Sequence, residues 1–261
     1  MSFLTLHNIH HIYFSKTGAT TALEDISINI EEGEFISFLG PSGCGKTTLL
    51  SIIAGLLQPT EGEVRIDGEV IKESTSAIGY MLQQDYLFPW KTILDNILIG
   101  PRIMGAVTKE THEKAVSLLQ SMGLEYVENA YPRELSGGMR QRVALVRTLI
   151  TNPKLLLLDE PFSALDYQTK LKLEDLVADT LKQFKKTALL VTHDIGEAIA
   201  MSDRIFLLSS QPGKIARTFI VPAELRKEKP FHVRQHEQYN EFFQKVWKEL
   251  DNLETNVGSR P

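Results

Sequence analysis

Residues 40–47 read G-P-S-G-C-G-K-T, a fit to the pattern G-x-x-x-x-G-K-[ST], whose backbone N–H groups wrap the phosphates of a nucleotide. The apolar run Phe35, Ile36, Phe38, Leu39 leads into it like a buried strand, and residues 47–54 leave it like a helix. Phosphates would then lie at a helix N-terminus, where unpaired N–H groups and the helix dipole favour negative charge. The contacts expected from this loop are Gly40, Pro41, Ser42, Gly43, Cys44, Gly45, Lys46, Thr47 and Thr48. Lys46 adds a mobile cation for the outer phosphates, and Thr47 offers a hydroxyl to Mg²⁺. A ligand-free turn can also use Gly40, Gly43 and Gly45 merely for positive φ, but the strand–loop–helix context argues for the nucleotide. Cys44, near the helix N-terminus, is expected to favour its thiolate and to be reactive.

A length of 261 residues suits one α/β domain with an inserted subdomain. Hydrophobic and charged contents of 43% and 23% are ordinary for a globular protein. A net charge of −5 argues against a basic nucleic-acid-binding face. A single cysteine excludes an intrachain disulfide and suits a reducing compartment. No long apolar run spans a bilayer, and residues 1–14 lack the pattern of a signal peptide.

Ile26, Ile28 and Ile30, then Val64 and Ile66, alternate as in short strands, with turn signals at Glu31-Glu32-Gly33 and Asp67-Gly68. The continuous runs 35–39, 155–158 and 188–191 predict strands buried on both faces, as in a parallel sheet. From about Leu94 to Ile150 the pattern is helical, and the polar tail from about Pro222 ends in Phe242, Phe243, Val246, Trp247 and Leu250 at helical spacing, which predicts a docked helix.

Two further strings narrow the reading: L-S-G-G-M-R-Q-R from Leu135 and L-L-L-L-D-E from Leu155. Ser136 stands where an N-cap would, two glycines admit a ligand to the backbone, and Met139, Val143, Val146 and Ile150 recur at helical spacing. With these motifs in order, the chain resembles the ATP-binding subunit of an ATP-binding-cassette (ABC) transporter, with Met139 in place of the commoner Gln. The resemblance covers residues 4–220 and implies a P-loop NTPase fold: a RecA-like α/β core, an antiparallel β-subdomain and an inserted helical subdomain at about 90–152. It implies an ABC domain over 1–221 and a helical extension over 222–261.

Asp159 ends a four-leucine strand, where a carboxylate can hold Mg²⁺. Glu160 follows at the turn, and the resemblance assigns it to polarising the attacking water. Gln83 is the residue that, by resemblance, reaches Mg²⁺ and that water; Gln84 leaves the register open, and the spacing to Pro89-Trp90 favours Gln83. His193, directly after a strand, can donate to a γ-phosphate oxygen, and the resemblance makes it the switch histidine. Ser163-Ala164-Leu165-Asp166 resembles the loop that crosses to a second subunit's site, with Asp166 a nucleotide contact; the plainer reading is a helix N-cap by Ser163. Tyr13 takes the place of the aromatic that stacks on adenine, with Phe14 its competitor.

The resemblance therefore implies an ATPase with ATP and Mg²⁺, catalytic Lys46, Gln83, Glu160 and His193, and metal contacts Thr47, Gln83 and Asp159. A head-to-tail dimer would place each ATP between one copy's Lys46 loop and the other copy's Ser136, Gly137 and Gly138. Leu87-Phe88-Pro89-Trp90 and the tail look like the importer subgroup for nitrate, sulfonates and taurine. That implies a transmembrane permease, an extracytoplasmic solute-binding protein and a peripheral place on the cytoplasmic membrane face, with residues 87–93 as the permease contact. The alternatives are a soluble ABC ATPase acting on DNA or ribosomes, a nucleotide-binding module without turnover, and an exporter cassette. The absence of a long coiled coil or a second cassette, the intact Lys46, Asp159, Glu160 and His193, and the Pro89-Trp90 segment argue against each in turn.

Overall fold

The computed structural model describes residues 2–16, 18–163 and 165–257, with side chains to Thr255. Ala164, inside the segment 163–166, and the last four residues of the tail lie outside the described residues. In chain order come β1 (Leu4–Ser15), β2 (Gly18–Ile30), β3 (Phe35–Leu39), α1 (Lys46–Ile53), β4 (Glu61–Ile66), β5 (Glu69–Val70) and β6 (Ile78–Met81). Four helices follow: α2 (Ile93–Ile97), α3 (Ile99–Ile103), α4 (Lys109–Ser121) and α5 (Gly137–Leu149). Then come β7 (Leu155–Asp159), α6 (Tyr167–Gln183), β8 (Thr187–Thr192), α7 (Ile195–Met201), β9 (Arg204–Leu208) and β10 (Ile215–Ile220). The chain closes with α8 (Ala223–Lys227), α9 (Pro230–Val233) and α10 (Tyr239–Val257).

The alternating isoleucines of β2 belong to a four-stranded antiparallel sheet in the order β2-β1-β4-β5. Its first two strands are longer than the short strands the alternation predicts, 12 and 13 residues. They reach that length because shifts of register between Leu6 and Ile12 let the pairing bend and continue.

The second sheet has six strands in the order β10-β9-β3-β8-β7-β6, parallel except for the edge strand β10. The apolar runs form its buried strands, as their unbroken hydrophobicity predicts. Because successive side chains point to opposite faces, Leu156 and Leu158 join the core under α4–α7, while Leu155 and Leu157 join the core shared with α1 and the antiparallel sheet. All four leucines are essentially inaccessible, and each contributes about 1.5–3 kcal/mol relative to exposure. The tail joins the first of these cores through Leu225, Val233, Phe242 and Val246.

Register aligns the strand ends. Leu39 pairs with Thr192, Asp159 with Val191 and Met81 with Leu158. The residues next along the chain therefore emerge in one row at the C-terminal edge of the sheet, where open α/β folds build ligand sites.

Candidate nucleotide-binding site

Gly45 caps α1 in the left-handed region, φ +92°, and a Cβ there would lie 2.7 Å from Leu23 Cδ2 and 3.0 Å from the Ala22 carbonyl oxygen. Glycine is required on both counts. A Cβ on Gly40 would stand 2.6 Å from the Leu208 carbonyl oxygen. The loop is thus clamped between the antiparallel sheet and β9.

The Lys46 ammonium is buried, donating to the Gly40 carbonyl at 2.7 Å and the Pro41 carbonyl at 2.9 Å. Folded onto the loop in this way, it has two carbonyls to satisfy a charge that would otherwise be buried alone. Cys44 is a correction to the reactive thiolate expected from the motif. Its thiol is buried, and burial pushes its pKa up from 9.0, against the lowering influence of Lys46.

Tyr13, 47% exposed, places its hydroxyl 3.2 Å from the Thr48 hydroxyl and its ring edge-on to His11. It stands over the first turn of α1. Phe14, further along β1, is more exposed and carries no such tie.

Asp159 is buried and accepts hydrogen bonds from Thr47 and from the Tyr80 hydroxyl, the latter at 3.3 Å. Burial raises its pKa above 3.8, and burial beside Asp159 raises that of Tyr80 as well. Thr47, Asp159 and Gln83 are hard oxygen donors, the chemistry suited to Mg²⁺.

Glu160 turns out of the strand at φ +46°, its backbone N–H held by the Val191 carbonyl at 2.9 Å. One carboxylate oxygen accepts from Gln83 Nε2 at 3.1 Å, and the other lies 3.3 Å from His193 Nδ1. Three residues from the ends of β6, β7 and β8 thereby meet at one carboxylate.

Ser136 caps α5, accepting from the Met139 N–H at 3.3 Å. Asp166 caps α6 in the same way, accepting from Thr169 at 3.0 Å, which holds its pKa below 3.8. The cap is therefore Asp166 and not Ser163, whose hydroxyl donates back to the Glu160 carbonyl at 3.0 Å. Gly138 packs where a Cβ would meet Thr169 at 2.7 Å, so Gly137, Gly138 and Asp166 gather at the starts of two adjoining helices. A cleft of about 360 Å³ lies beside them, lined by Gln83, Asp85, Gly137, Arg140 and Gln141 and by none of residues 40–48. Within the described residues, then, the structure gathers Gln83, Glu160 and His193, and separately Thr47 and Asp159. Gly137 lines a separate cleft, which reaches Gln83 but no residue of the phosphate loop.

Several supporting residues escaped the reading of the sequence. Gln141 donates to the Gln83 carbonyl at 3.1 Å, and Arg147 to the Asp85 and Tyr86 carbonyls at 2.6 and 2.8 Å, tying α5 to the segment after β6. Fully buried Asn96 accepts from the Phe88 N–H at 2.7 Å and donates to the carbonyls of Phe88, Lys91 and Thr92. It staples residues 88–92 so that Trp90 stands 70% exposed while Leu87 and Ile93 are core, which narrows the apolar segment to its middle. Gly213 is the last: a Cβ there would lie 2.2 Å from the Cys44 carbonyl. A lone Asn inside an apolar helix and a Gly after Pro were the only sequence signals.

The ABC transporter family profile matches residues 23–163. Over 97% of this chain and 98% of the relative, the sequence is 60% identical to an uncharacterized ABC transporter ATP-binding protein, YtlC, of Bacillus subtilis. It is 38% identical, over 97% and 96%, to the nitrate import ATP-binding protein NrtD of a Synechocystis species. It is 46% identical, over 78% and 80%, to the aliphatic sulfonates import ATP-binding protein SsuB of Bacillus cereus. Among solved structures, the ATP-binding cassette MJ0796, a dimer in a post-hydrolysis state bound to ADP and Pi, is 36% identical, covering 84% of this chain and 99% of its own, with a TM-score of 0.74.

Proposed function

The chain belongs to the ABC transporter family as an ATP-binding, P-loop ATPase subunit, and from that premise we propose that it powers a membrane importer for nitrate, an aliphatic sulfonate, taurine or a related small solute. The observation that carries the catalytic part is the meeting of Gln83, Glu160 and His193 at one carboxylate. Glu160 accepts a proton from the attacking water as its oxygen bonds to the γ-phosphorus and the bond to the leaving ADP oxygen breaks. Gln83 fixes the carboxylate and the water. With Nδ1 held against Glu160, Nε2 of His193 is the ring nitrogen left for a γ-phosphate oxygen. Lys46 and the N-terminus of α1 neutralise the outer phosphates. Buried Asp159, with the Thr47 hydroxyl beside it and the Gln83 amide oxygen, offers only oxygen donors; these residues would hold Mg²⁺, which would supply charge neutralisation on the phosphate oxygens.

The cleft beside Ser136, Gly137 and Gly138 supports a head-to-tail dimer in which these groups and Asp166 meet the nucleotide of the other copy; the cassette MJ0796 is dimeric. Exposed Trp90, its ring tilted against that of Phe88 with centroids 5.4 Å apart, on a segment stapled by Asn96, is the anchor for a permease. The importer reading is supported by NrtD and SsuB, and it implies an extracytoplasmic binding protein and a place on the inner membrane face; no described helix is long and apolar enough to cross a membrane.

The test has two parts. The purified chain should hydrolyse ATP with Mg²⁺, and a strain lacking it should lose growth on nitrate or on sulfonates and taurine as sole nitrogen or sulfur source. Trp90→Ala should change the stability of the chain by under about 0.5 kcal/mol. It should abolish uptake without lowering the ATPase rate of the isolated chain. Growth and uptake unchanged in both strains would remove the importer reading.

A further inference from the structure

Behind His193 lies a partly buried cluster of charges that the proposed chemistry does not use. Lys170 of α6 sits 2.5 Å from Asp194 and 2.5 Å from Glu197 of α7. Glu197 also accepts from the hydroxyl of Thr192. That hydroxyl in turn accepts from the Asp194 N–H at 3.0 Å. Both neighbours of His193 are therefore fixed by the same cluster.

The tail of the chain reaches into it. Arg234, just after α9, pairs in two places with Glu174 of α6, at 2.7 and 3.0 Å, and Glu174 is inaccessible to solvent. A Cβ added to Gly196, in the first turn of α7, would lie 3.1 Å from the Tyr239 hydroxyl and 3.6 Å from Arg234 Nε. It would also stand 3.0 Å from Asp194. Arg234 and Tyr239 thus pack beside Gly196, on the backbone that follows His193. Lys229 and the Phe231 N–H hold the same tail to Asp179 and Asp175, both at 2.8 Å. In the cluster Arg234 and Lys170 face Glu174, Asp194 and Glu197, so loss of Arg234 leaves three carboxylates sharing one ammonium.

We propose that the C-terminal segment is a positioning element for His193: Arg234 and Tyr239 hold the start of α7 through Glu174, Lys170 and Asp194, and so set the rate of turnover rather than the affinity for nucleotide. The proposal rests on the assignment of His193 to ATP hydrolysis. Nothing of this segment touches the phosphate loop in the described contacts, so its effect is expected in kcat and not in KM.

The experiment uses the full chain carrying Arg234→Met with Glu174→Leu. Removing both members of a buried ion pair spares the fold the unpaired charge that Arg234→Met alone would leave. The melting temperature should stay near that of the wild type and KM for ATP should hold within about twofold, while kcat falls about threefold to thirtyfold, the span of couplings carried by such networks. Deuterium exchange over residues 190–200 should rise. Tyr239→Phe, which removes one hydroxyl, should lower kcat in the same direction by less. A double variant with wild-type kcat and unchanged exchange overturns the proposal. If the wild type itself fails to turn over ATP, the hydrolysis reading falls on its own, and the exchange measurement still decides whether the tail holds the His193 segment.

Discussion

Replacing Glu160 by Gln keeps the shape of the side chain and removes its charge and basicity. In the structure the carboxylate has two ties, Gln83 Nε2 at 3.1 Å and His193 Nδ1 at 3.3 Å. The amide keeps an accepting oxygen for Gln83 Nε2 and turns its N–H₂ toward His193 Nδ1, so at most the contact to His193 is lost. The group is partly exposed, and losing a single hydrogen bond there costs about 0.5–1.5 kcal/mol of stability at most. The catalytic cost is larger. A positioned general base supplies about 10²–10⁴ in rate, which is about 2.7–5.4 kcal/mol of barrier at 1.36 kcal/mol per decade. Glu160→Gln should therefore melt near the wild type, bind ATP as well as the wild type, and hydrolyse it at least about a hundredfold more slowly. Gel filtration with Mg-ATP should show a dimer accumulating, since the bridging γ-phosphate stays in place. Steady-state hydrolysis by the folded variant within about threefold of the wild type would refute the assignment of the base, because a positioned general base typically supplies about a hundredfold or more.

Cys44, buried and with a raised pKa, should react with a maleimide only as slowly as the loop opens, and stoichiometric labelling of the native chain within minutes would contradict the packing around it. Gly213→Ala should cost about 1–3 kcal/mol by overpacking against the Cys44 carbonyl, and should weaken ATP binding; Gly18→Ala, where a Cβ meets nothing within 4 Å, is the control for both measurements. Asp194 is held below its ordinary 3.8 by Lys170, against its own burial. A depressed carboxylate contributes stability that is present above 3.8 and lost as pH falls toward its folded value. Thermal melts from pH 6 down to pH 3 should thus fall less steeply for Asp194→Asn than for the wild type, and an identical acid limb would remove Asp194 from the account.

The parts of the site that were legible in the sequence are local. The strand–loop–helix of residues 40–54 carries its own hydrophobic run and its own glycines, and the leucines of β7 announce where a carboxylate will emerge. His193 and Gln83 were legible as strand ends, but their meeting at Glu160 depends on the register of β6, β7 and β8, which only the assembled sheet fixes. Asn96, Arg147 and Gly213 were not legible because what gives them meaning lies elsewhere: Arg147 serves carbonyls 61 and 62 residues away, and Gly213 backs a loop from the other end of the domain. Cys44 shows how a local signal is overruled. A helix N-terminus favours a thiolate by about 0.3–1 kcal/mol, and Lys46 Nζ at 3.5 Å adds to that. Burying a charged sulfur costs several kcal/mol, and Gly40 packs against this sulfur, in a side chain closed off from solvent. The larger effect wins, so Cys44 acts in this loop through its backbone and its bulk. The same weighing explains Lys46: the carbonyls of Gly40 and Pro41 hold its ammonium because a buried cation is tolerated only when oxygens surround it, and phosphate oxygens satisfy that demand at least as well.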